Sequence, residues 1–371
     1  MKRISFLVGP NGCGKTKALV IAAKNNVLKR KNVIAIANTS FVRFPWNSDR
    51  FPVFRVSPRG IKKIVKKNIQ SLFDLEGKDV FDISNILVFI GFTGDVGLEV
   101  EINPKSRNTA FVYNDLIGVF SSRYERDVII GFHDTLRTKK KVTLQLASTF
   151  DSFQRGLSED NRIILKHSQM LEELGIISAS RLVFYHEVRG VQNFDKLSSG
   201  EQTLISIFLF IKANLGNLDY IYIDEPENSL HPDWQRKYIE FIHMAIGYHE
   251  VPIILATHSP ILVSGSLASY KDAVTVIRVK GDEQETLEIN LNDESESIED
   301  ILWEAFDTIT PVSHFLSVEL SRILQAVTDG ELPQEEARAQ ILVFQNQSYD
   351  LKQKKLLEVV LDRLSGFVTN A

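Results

Sequence analysis

The chain has 371 residues, 44% of them hydrophobic and 24% charged, with a formal net charge of -4 and a single cysteine. That length exceeds what one small core organises and suits a large α/β domain with an appendage, since single cores stop growing at roughly 250–300 residues. The composition excludes an intramolecular disulfide framework and a surface that coats nucleic acid on overall charge alone, and no run of ~18 apolar residues is present to span a bilayer. Met1-Lys2-Arg3 runs into an apolar strand instead of a signal sequence, so a cytoplasmic location without membrane association is expected.

Ile4 to Val8 is a short apolar run ending at Gly9, and Lys15 to Lys24 keeps Leu19, Ile21 and Ala22 on one side with lysines between: strand, glycine-rich turn, helix. Val33 to Ala37 reads as a second buried strand, closed by Asn38-Thr39-Ser40. From Phe41 to Phe194 the pattern breaks into short strands, such as Asn85 to Phe92 and Leu98 to Ile102, and amphipathic helices, such as Asn161 to Leu174. Its prolines and phenylalanines sustain no heptad repeat, which points to a folded insertion instead of a coiled-coil arm. Ser198 to Leu215 reads as helix, Tyr220 to Asp224 as strand, Pro232 to Tyr248 as helix and Pro252 to Thr257 as strand. That alternation predicts a mostly parallel sheet flanked by helices. Gly281 to Asp300 is rich in Asp, Glu, Asn and Ser and reads as a solvated acidic linker, and Phe315 to Val327, Gln334 to Phe344 and Leu351 to Leu364 carry apolar residues at helical spacing.

Gly9-Pro10-Asn11-Gly12-Cys13-Gly14-Lys15-Thr16 fits the P-loop pattern. Its glycines let backbone N–H groups wrap phosphates, Lys15 reaches the β and γ oxygens, and Thr16 holds Mg²⁺. The pattern alone arises by chance in roughly one chain of this length in a hundred, but here it also joins a strand to a helix. Tyr220-Ile221-Tyr222-Ile223-Asp224-Glu225 delivers two carboxylates at a strand's C-terminal end, where an open α/β sheet binds ligands. Asp224 is placed to support Mg²⁺, and Glu225 to orient or deprotonate an attacking water. Leu197-Ser198-Ser199-Gly200-Glu201-Gln202 opens a helix and so makes an anion site, although a Ser-rich helix cap needs no such role.

In that order the segments resemble the ABC-type ATPases, whose signature LSSGEQ is similar to and precedes the Walker B strand. Glu227-Asn228-Ser229-Leu230-His231-Pro232 then resembles a D-loop, and Ala256-Thr257-His258-Ser259-Pro260 an H-loop. Within the superfamily, DEPENSLHP and ATHSP look like the RecF, SMC and OLD side, and Asn38-Thr39 looks like the stand-alone ATPases of bacterial phage-defence systems of the Septu and retron-associated kind. Residues 1 to 24 and 197 to 262 carry the likeness. It implies an ATP- and Mg²⁺-dependent ATPase that dimerises around ATP, with Ser198, Ser199, Gly200, Glu201, Gln202 and Ser229 contacting nucleotide and His258 contacting the γ-phosphate and the water.

The sequence departs from the family in three places. His231 stands where transporter D-loops carry Asp, no zinc-hook cysteine pair is present, and no Toprim domain follows His258. The Q-loop glutamine is open among Gln70, Gln145, Gln154, Gln169 and Gln192. Two basic clusters, Lys62-Lys63 with Lys66-Lys67 and Arg137 with Lys139-Lys140-Lys141, read as solvated surface or as a DNA or RNA groove. The expected architecture is therefore an ABC-type core over residues 1–45 and 195–280, a mixed α/β insertion over 46–194, an acidic linker over 281–300 and a helical C-terminal domain over 301–371. The expected role is control of a separately encoded effector, a nuclease or toxin, with a RecF-like repair ATPase as the alternative and a transporter subunit as the third reading.

Overall fold

The computed structural model describes residues 3–39, 48–61, 84–107, 122–147, 158–281, 283–287, 314–347 and 351–366, with Phe44, Val65, Phe120 and Phe306 as single positions. The fold is α/β, built on a seven-stranded sheet. Six of its strands are parallel: β1 (Ile4–Val8), β2 (Val33–Ala37), β3 (Val53–Arg55), β8 (Tyr220–Asp224), β9 (Ile253–Ala256) and β10 (Val274–Lys280). A seventh, β11 (Glu283–Leu287), joins one edge antiparallel to β10, giving the order β11-β10-β1-β9-β8-β2-β3.

Alternation explains why both faces are covered. Along β1, Ile4, Phe6 and Val8 enter one core cluster and Leu7 the other; along β2, Ile34 and Ile36 face one side and Val33, Ala35 and Ala37 the opposite side. The second side includes Ala35 and Ala37 beside Phe44, Phe51 and Tyr222, and helix α1 (Lys15–Leu28) packs there through Leu19, Val20 and Ala23. The first side is thick. It receives the helix Ser199–Lys212, whose residues from Thr203 to Ile211 are all buried, and the helix Tyr238–Ile246.

A second sheet, order β5-β4-β6-β7, is antiparallel: β4 (Val96–Ile102), β5 (Lys141–Ala147), β6 (Ile177–His186) and β7 (Gly190–Asn193). Its apolar face shares the first core cluster through Leu98, Val100, Leu182 and Phe184, with the helix Arg123–Lys139 adding Ile129 and Leu136. Three helices, His314–Thr328, Gln334–Gln347 and Leu351–Gly366, form a separate cluster around Ile323, Ile341 and Leu357.

Four elements differ from the sequence expectation. Residues 84–89 are helical, not a strand. Ile86, Leu87 and Ile90 are buried while Val88 is exposed, which is helical spacing, and Gly91 at φ +96° ends the segment. The helix expected over 161–174 breaks at His167 into Glu159–Lys166 and Ser168–Glu173, and the one expected over 232–248 breaks at Lys237 into Pro232–Arg236 and Tyr238–Ile246. Glu283–Leu287, read as the start of the acidic linker, pairs as β11 because the hairpin with β10 satisfies its backbone whatever its side chains. Lys62, Lys63, Lys66, Lys67, Gln70 and Gln154 lie outside the described residues, as do Asp293 and Glu294 of the expected acidic linker. No helix among the described residues is long and apolar enough to cross a membrane.

Candidate functional site

The parallel order β1-β9-β8-β2 brings the turns after four strands to one edge of the sheet, at their C-terminal ends. Backbone bonds fix their spacing: Thr257 N–H donates to Leu7 O (3.1 Å), Glu225 N–H to Ala256 O (2.9 Å) and Asn38 N–H to Asp224 O (3.0 Å). A cavity of about 910 Å³ opens on these turns, lined by Lys15, Thr16, Asn38, Asp224, Glu225 and His258 among others.

The turn Gly9–Gly14 precedes α1 and takes positive φ at Gly9, Gly12 and Gly14 (139°, 81° and 103°), so successive N–H groups turn inward in a way L-residues resist. Gly281 N–H donates to Cys13 O (2.9 Å), pinning the loop to the β10–β11 turn. Lys15 is only 7% exposed, and its amine donates to Gly9 O (2.6 Å) and Pro10 O (3.0 Å) and thereby sits inside the loop. Gly12, Gly14, Lys15 and Thr16 thus line the cavity with α1's N-terminus behind them, a ready anion cradle.

Thr16 Oγ1–H donates to Asp224 Oδ1 (2.9 Å). Burial pushes the Asp224 carboxyl up to about 6; the Thr16 bond opposes this, the Glu225 and Glu227 charges add to it and His258 offsets part. A hydroxyl and a buried carboxylate at this distance fit Mg²⁺, a hard cation that takes one or two protein oxygens and completes its shell with phosphate and water. Among the described residues no group of three His, Cys, Asp or Glu side chains could hold a metal by itself.

Beside that pair, Glu225 sits at φ +51° and Ser229 at φ +66°, left-handed conformations that cost a non-glycine residue about 1–3 kcal/mol and cluster at functional turns. The turn aims Glu225 into the cavity, where its Oε1 lies 3.6 Å from His258 Nε2. His258 is equally far from Glu227 Oε1 (3.6 Å), and Glu227 in turn accepts from Thr257 Oγ1–H and from His258 N–H, both at 2.8 Å. Glu227, to which the sequence attached no role, therefore fixes the exit of β9 that carries His258.

We denote the helix Ser199–Lys212 as α5. Its start is tightly specified: Ser198 and Glu201 form a reciprocal capping box, and the Arg189 guanidinium reaches Glu201 Oε1 at 2.6 Å. Burial raises the Glu201 carboxyl, but Arg189 and the Ser198 N–H outweigh it and hold it below the usual carboxylate range. Gln202 Nε2 donates to Phe194 O and Leu197 O. Ser198, Glu201 and Gln202 are thus engaged within the chain, and Ser199, exposed like Ser198, stands at the tip; Ser199 and Gln202 also line the cavity. A Cβ on Gly200 would lie 2.8 Å from both Ser229 O and Trp234 Cζ3. Gly200→Ala is therefore expected to cost about 1–3 kcal/mol of stability through overpacking, read as a lower thermal midpoint, whereas an unchanged midpoint would show that the two turns are not in contact.

A family described as "AAA domain, putative AbiEii toxin, Type IV TA system" matches residues 107–264, less than half of the chain. The chain is similar to that family over this stretch. The stretch spans Leu197–Gln202, Asp224, Glu225 and His258 but not Gly9–Thr16. No curated protein matches the chain. The Smc head domain with an extended coiled coil, bound to the C-terminal domain of ScpA and derived from Pyrococcus furiosus, is similar at 11% identity and a TM-score of 0.27, over 78% of this chain and 90% of that one. So distant a likeness has no bearing on the site.

The remaining candidates fall elsewhere. Gln169 donates to Glu173 and Gln192 to Arg189 O, and neither lines the cavity. Of the second basic cluster, Lys141 pairs with Glu99 (2.5 Å) and Arg137 with Asp134 (3.7 Å), so two of its four charges are offset locally. His231 caps the helix Pro232–Arg236 by accepting from Asp233 N–H, a structural use of that position.

Proposed function

We propose that the chain binds Mg²⁺-ATP in this cavity and hydrolyses it to ADP and phosphate. The observation that carries the reading is the convergence of Lys15, the Thr16–Asp224 pair, Glu225 and His258 on one cavity at the ends of parallel strands. In this reading the loop N–H groups and Lys15 hold the phosphates, and Thr16 and Asp224 give two oxygens to Mg²⁺, which when bound neutralises phosphate charge. Glu225 accepts a proton from the attacking water, and His258 orients the γ-phosphate side of the site.

We further propose that two copies enclose the nucleotides, Ser199 and the N–H groups at the α5 tip of one copy completing the site of the other. Hydrolysis then releases the pair and changes the state of a separately encoded effector in phage defence. The exposed apolar residues Val318, Leu342, Val343, Leu356 and Val359 on the C-terminal helices offer that effector a surface. The toxin–antitoxin wording of the matched family favours a growth-arresting role over repair.

Because Ser199 and Gln202 also line their own chain's cavity, a site completed within one chain is the specific rival. Mixing Lys15→Ala with Ser199→Arg separates the two. In a two-copy site the mixed pair keeps one intact composite site, so two inactive variants should regain roughly a quarter of wild-type phosphate release. No recovery, with both variants folded, contradicts the two-copy arrangement and leaves the single-chain one.

A further inference from the structure

A reciprocal pair of asparagines joins two cavity walls that are 190 residues apart in sequence. Asn38 follows β2 and is 8% exposed, its backbone docked on the end of β8 through Asn38 N–H to Asp224 O (3.0 Å). Its side-chain amide donates to Asn228 O at 2.6 Å, and the Asn228 amide donates back to Asn38 O at 2.8 Å. A side-chain NH₂ has two hydrogens, and Asn228 spends the second on Glu225 Oε2, also at 2.8 Å.

Glu225 needs such a restraint. It leaves β8 in a left-handed conformation and its side chain enters an open cavity, where its other oxygen lies 3.6 Å from His258 Nε2, beyond hydrogen-bond distance. With Oε2 held by Asn228, the carboxylate plane is fixed and Oε1 is the oxygen presented to the cavity. Asn228 sits in the turn between β8 and the helix Pro232–Arg236, where its N–H donates to Glu225 O (3.3 Å), and a restraint on its side chain has to come from outside that turn. The two bonds to Asn38 supply that restraint from a different strand.

We infer that Asn228 is a positioning residue for Glu225 and that Asn38 acts through it, so that the amide pair sets the geometry of the hydrolytic carboxylate and not merely the stability of the turn. The inference rests on the proposed ATP hydrolysis and on Glu225 as the group that handles the water. It predicts a loss in kcat rather than in nucleotide affinity, since neither amide belongs to the phosphate loop.

The test is steady-state ATP hydrolysis by the full chain, with thermal unfolding measured in parallel. Asn228→Ala should lower kcat about 10- to 30-fold with KM changed less than about threefold, the size expected for a misplaced catalytic group. Asn228→Asp, which removes both donors and sets a second carboxylate against Glu225, should lose more, about 100-fold. Asn38→Ala, which keeps the backbone acceptor, should lose about 3- to 10-fold and serves where an Asn228 variant does not fold. In a Glu225→Gln background, single-turnover rates with and without Asn228→Ala should differ by less than about twofold, because the carboxylate being positioned is gone. Equal losses in both backgrounds, an unchanged kcat, or a raised KM with normal kcat would overturn the inference. If Glu225→Gln itself leaves hydrolysis intact, the role proposed for Glu225 fails and the inference with it; if it abolishes hydrolysis and the asparagine variants do not slow it, only the present inference fails.

Discussion

Glu225→Gln is expected to lower ATP hydrolysis about a thousandfold while leaving ATP affinity within about threefold, the range associated with removal of a positioned general base. The amide has the shape of the carboxylate and still offers an oxygen to the Asn228 donor, so the turn and its left-handed backbone are retained. What it loses is the capacity to take a proton at the oxygen facing the cavity. Affinity rests on other groups, the loop around Lys15 and the Thr16–Asp224 pair, which Glu225 does not touch. Rapid-quench hydrolysis and equilibrium binding of ATP measure the two quantities separately. A variant that hydrolyses at the wild-type rate would remove Glu225 from the chemistry.

Asp224→Asn should move activity and stability in opposite directions. Asp224 is 1% exposed and its carboxyl is raised from 3.8 to about 6, chiefly by burial. Below pH ~4 both folded and unfolded chains carry it protonated and no penalty arises. Between the unfolded value and about 6 the unfolded chain ionises while the folded one keeps its proton, so stability declines as pH rises, levelling off above about 6 at a total of roughly 3 kcal/mol. Asn never ionises and can still accept from Thr16 Oγ1–H. Without nucleotide or Mg²⁺, the variant should therefore be about 1–3 kcal/mol more stable than wild type at pH 7, with the advantage shrinking toward pH 4. Its hydrolysis should fall about a hundredfold or more, because the charged oxygen for Mg²⁺ is missing. Urea unfolding of both proteins at pH 4.5 and 7 tests the first half; equal stability at both values would show that burial of this charge costs nothing.

Much of the site was legible because its residues lie in short contiguous motifs whose chemistry depends on local backbone. The Gly9–Thr16 loop, the two carboxylates at the end of β8 and the His258 turn, candidates for the site, needed only the order strand, turn, helix to be picked out. The partners of those residues were not legible. Asn38, Asn228 and Glu227 act through bonds between turns that only the sheet order β1-β9-β8-β2 brings together. No spacing rule links residue 38 to residue 228. Similarly, Ser198, Glu201 and Gln202 carried anion-site expectations from their motif, while their side chains are engaged in capping α5 and the segment before it.

Two of the four fold misreadings share a physical cause. Residues 84–89 and 283–287 are short segments in which periodicity is weak, so burial on one face and pairing on an edge decide their form. The longer periodic stretches Lys15–Leu28 and Ser199–Lys212 formed the expected helices, but the inward face of the first was misread: it buries Leu19, Val20 and Ala23 and leaves Ile21, expected inward, exposed.

The claim on which everything else depends is that this cavity cleaves ATP. Phosphate release by the purified full chain with Mg²⁺-ATP, compared with Lys15→Ala prepared identically, tests it most directly. The account predicts Mg²⁺-dependent release that falls at least about a hundredfold in the variant, since Lys15 lies within the phosphate loop. Equal release by both proteins, or none above buffer by the wild type, would contradict it.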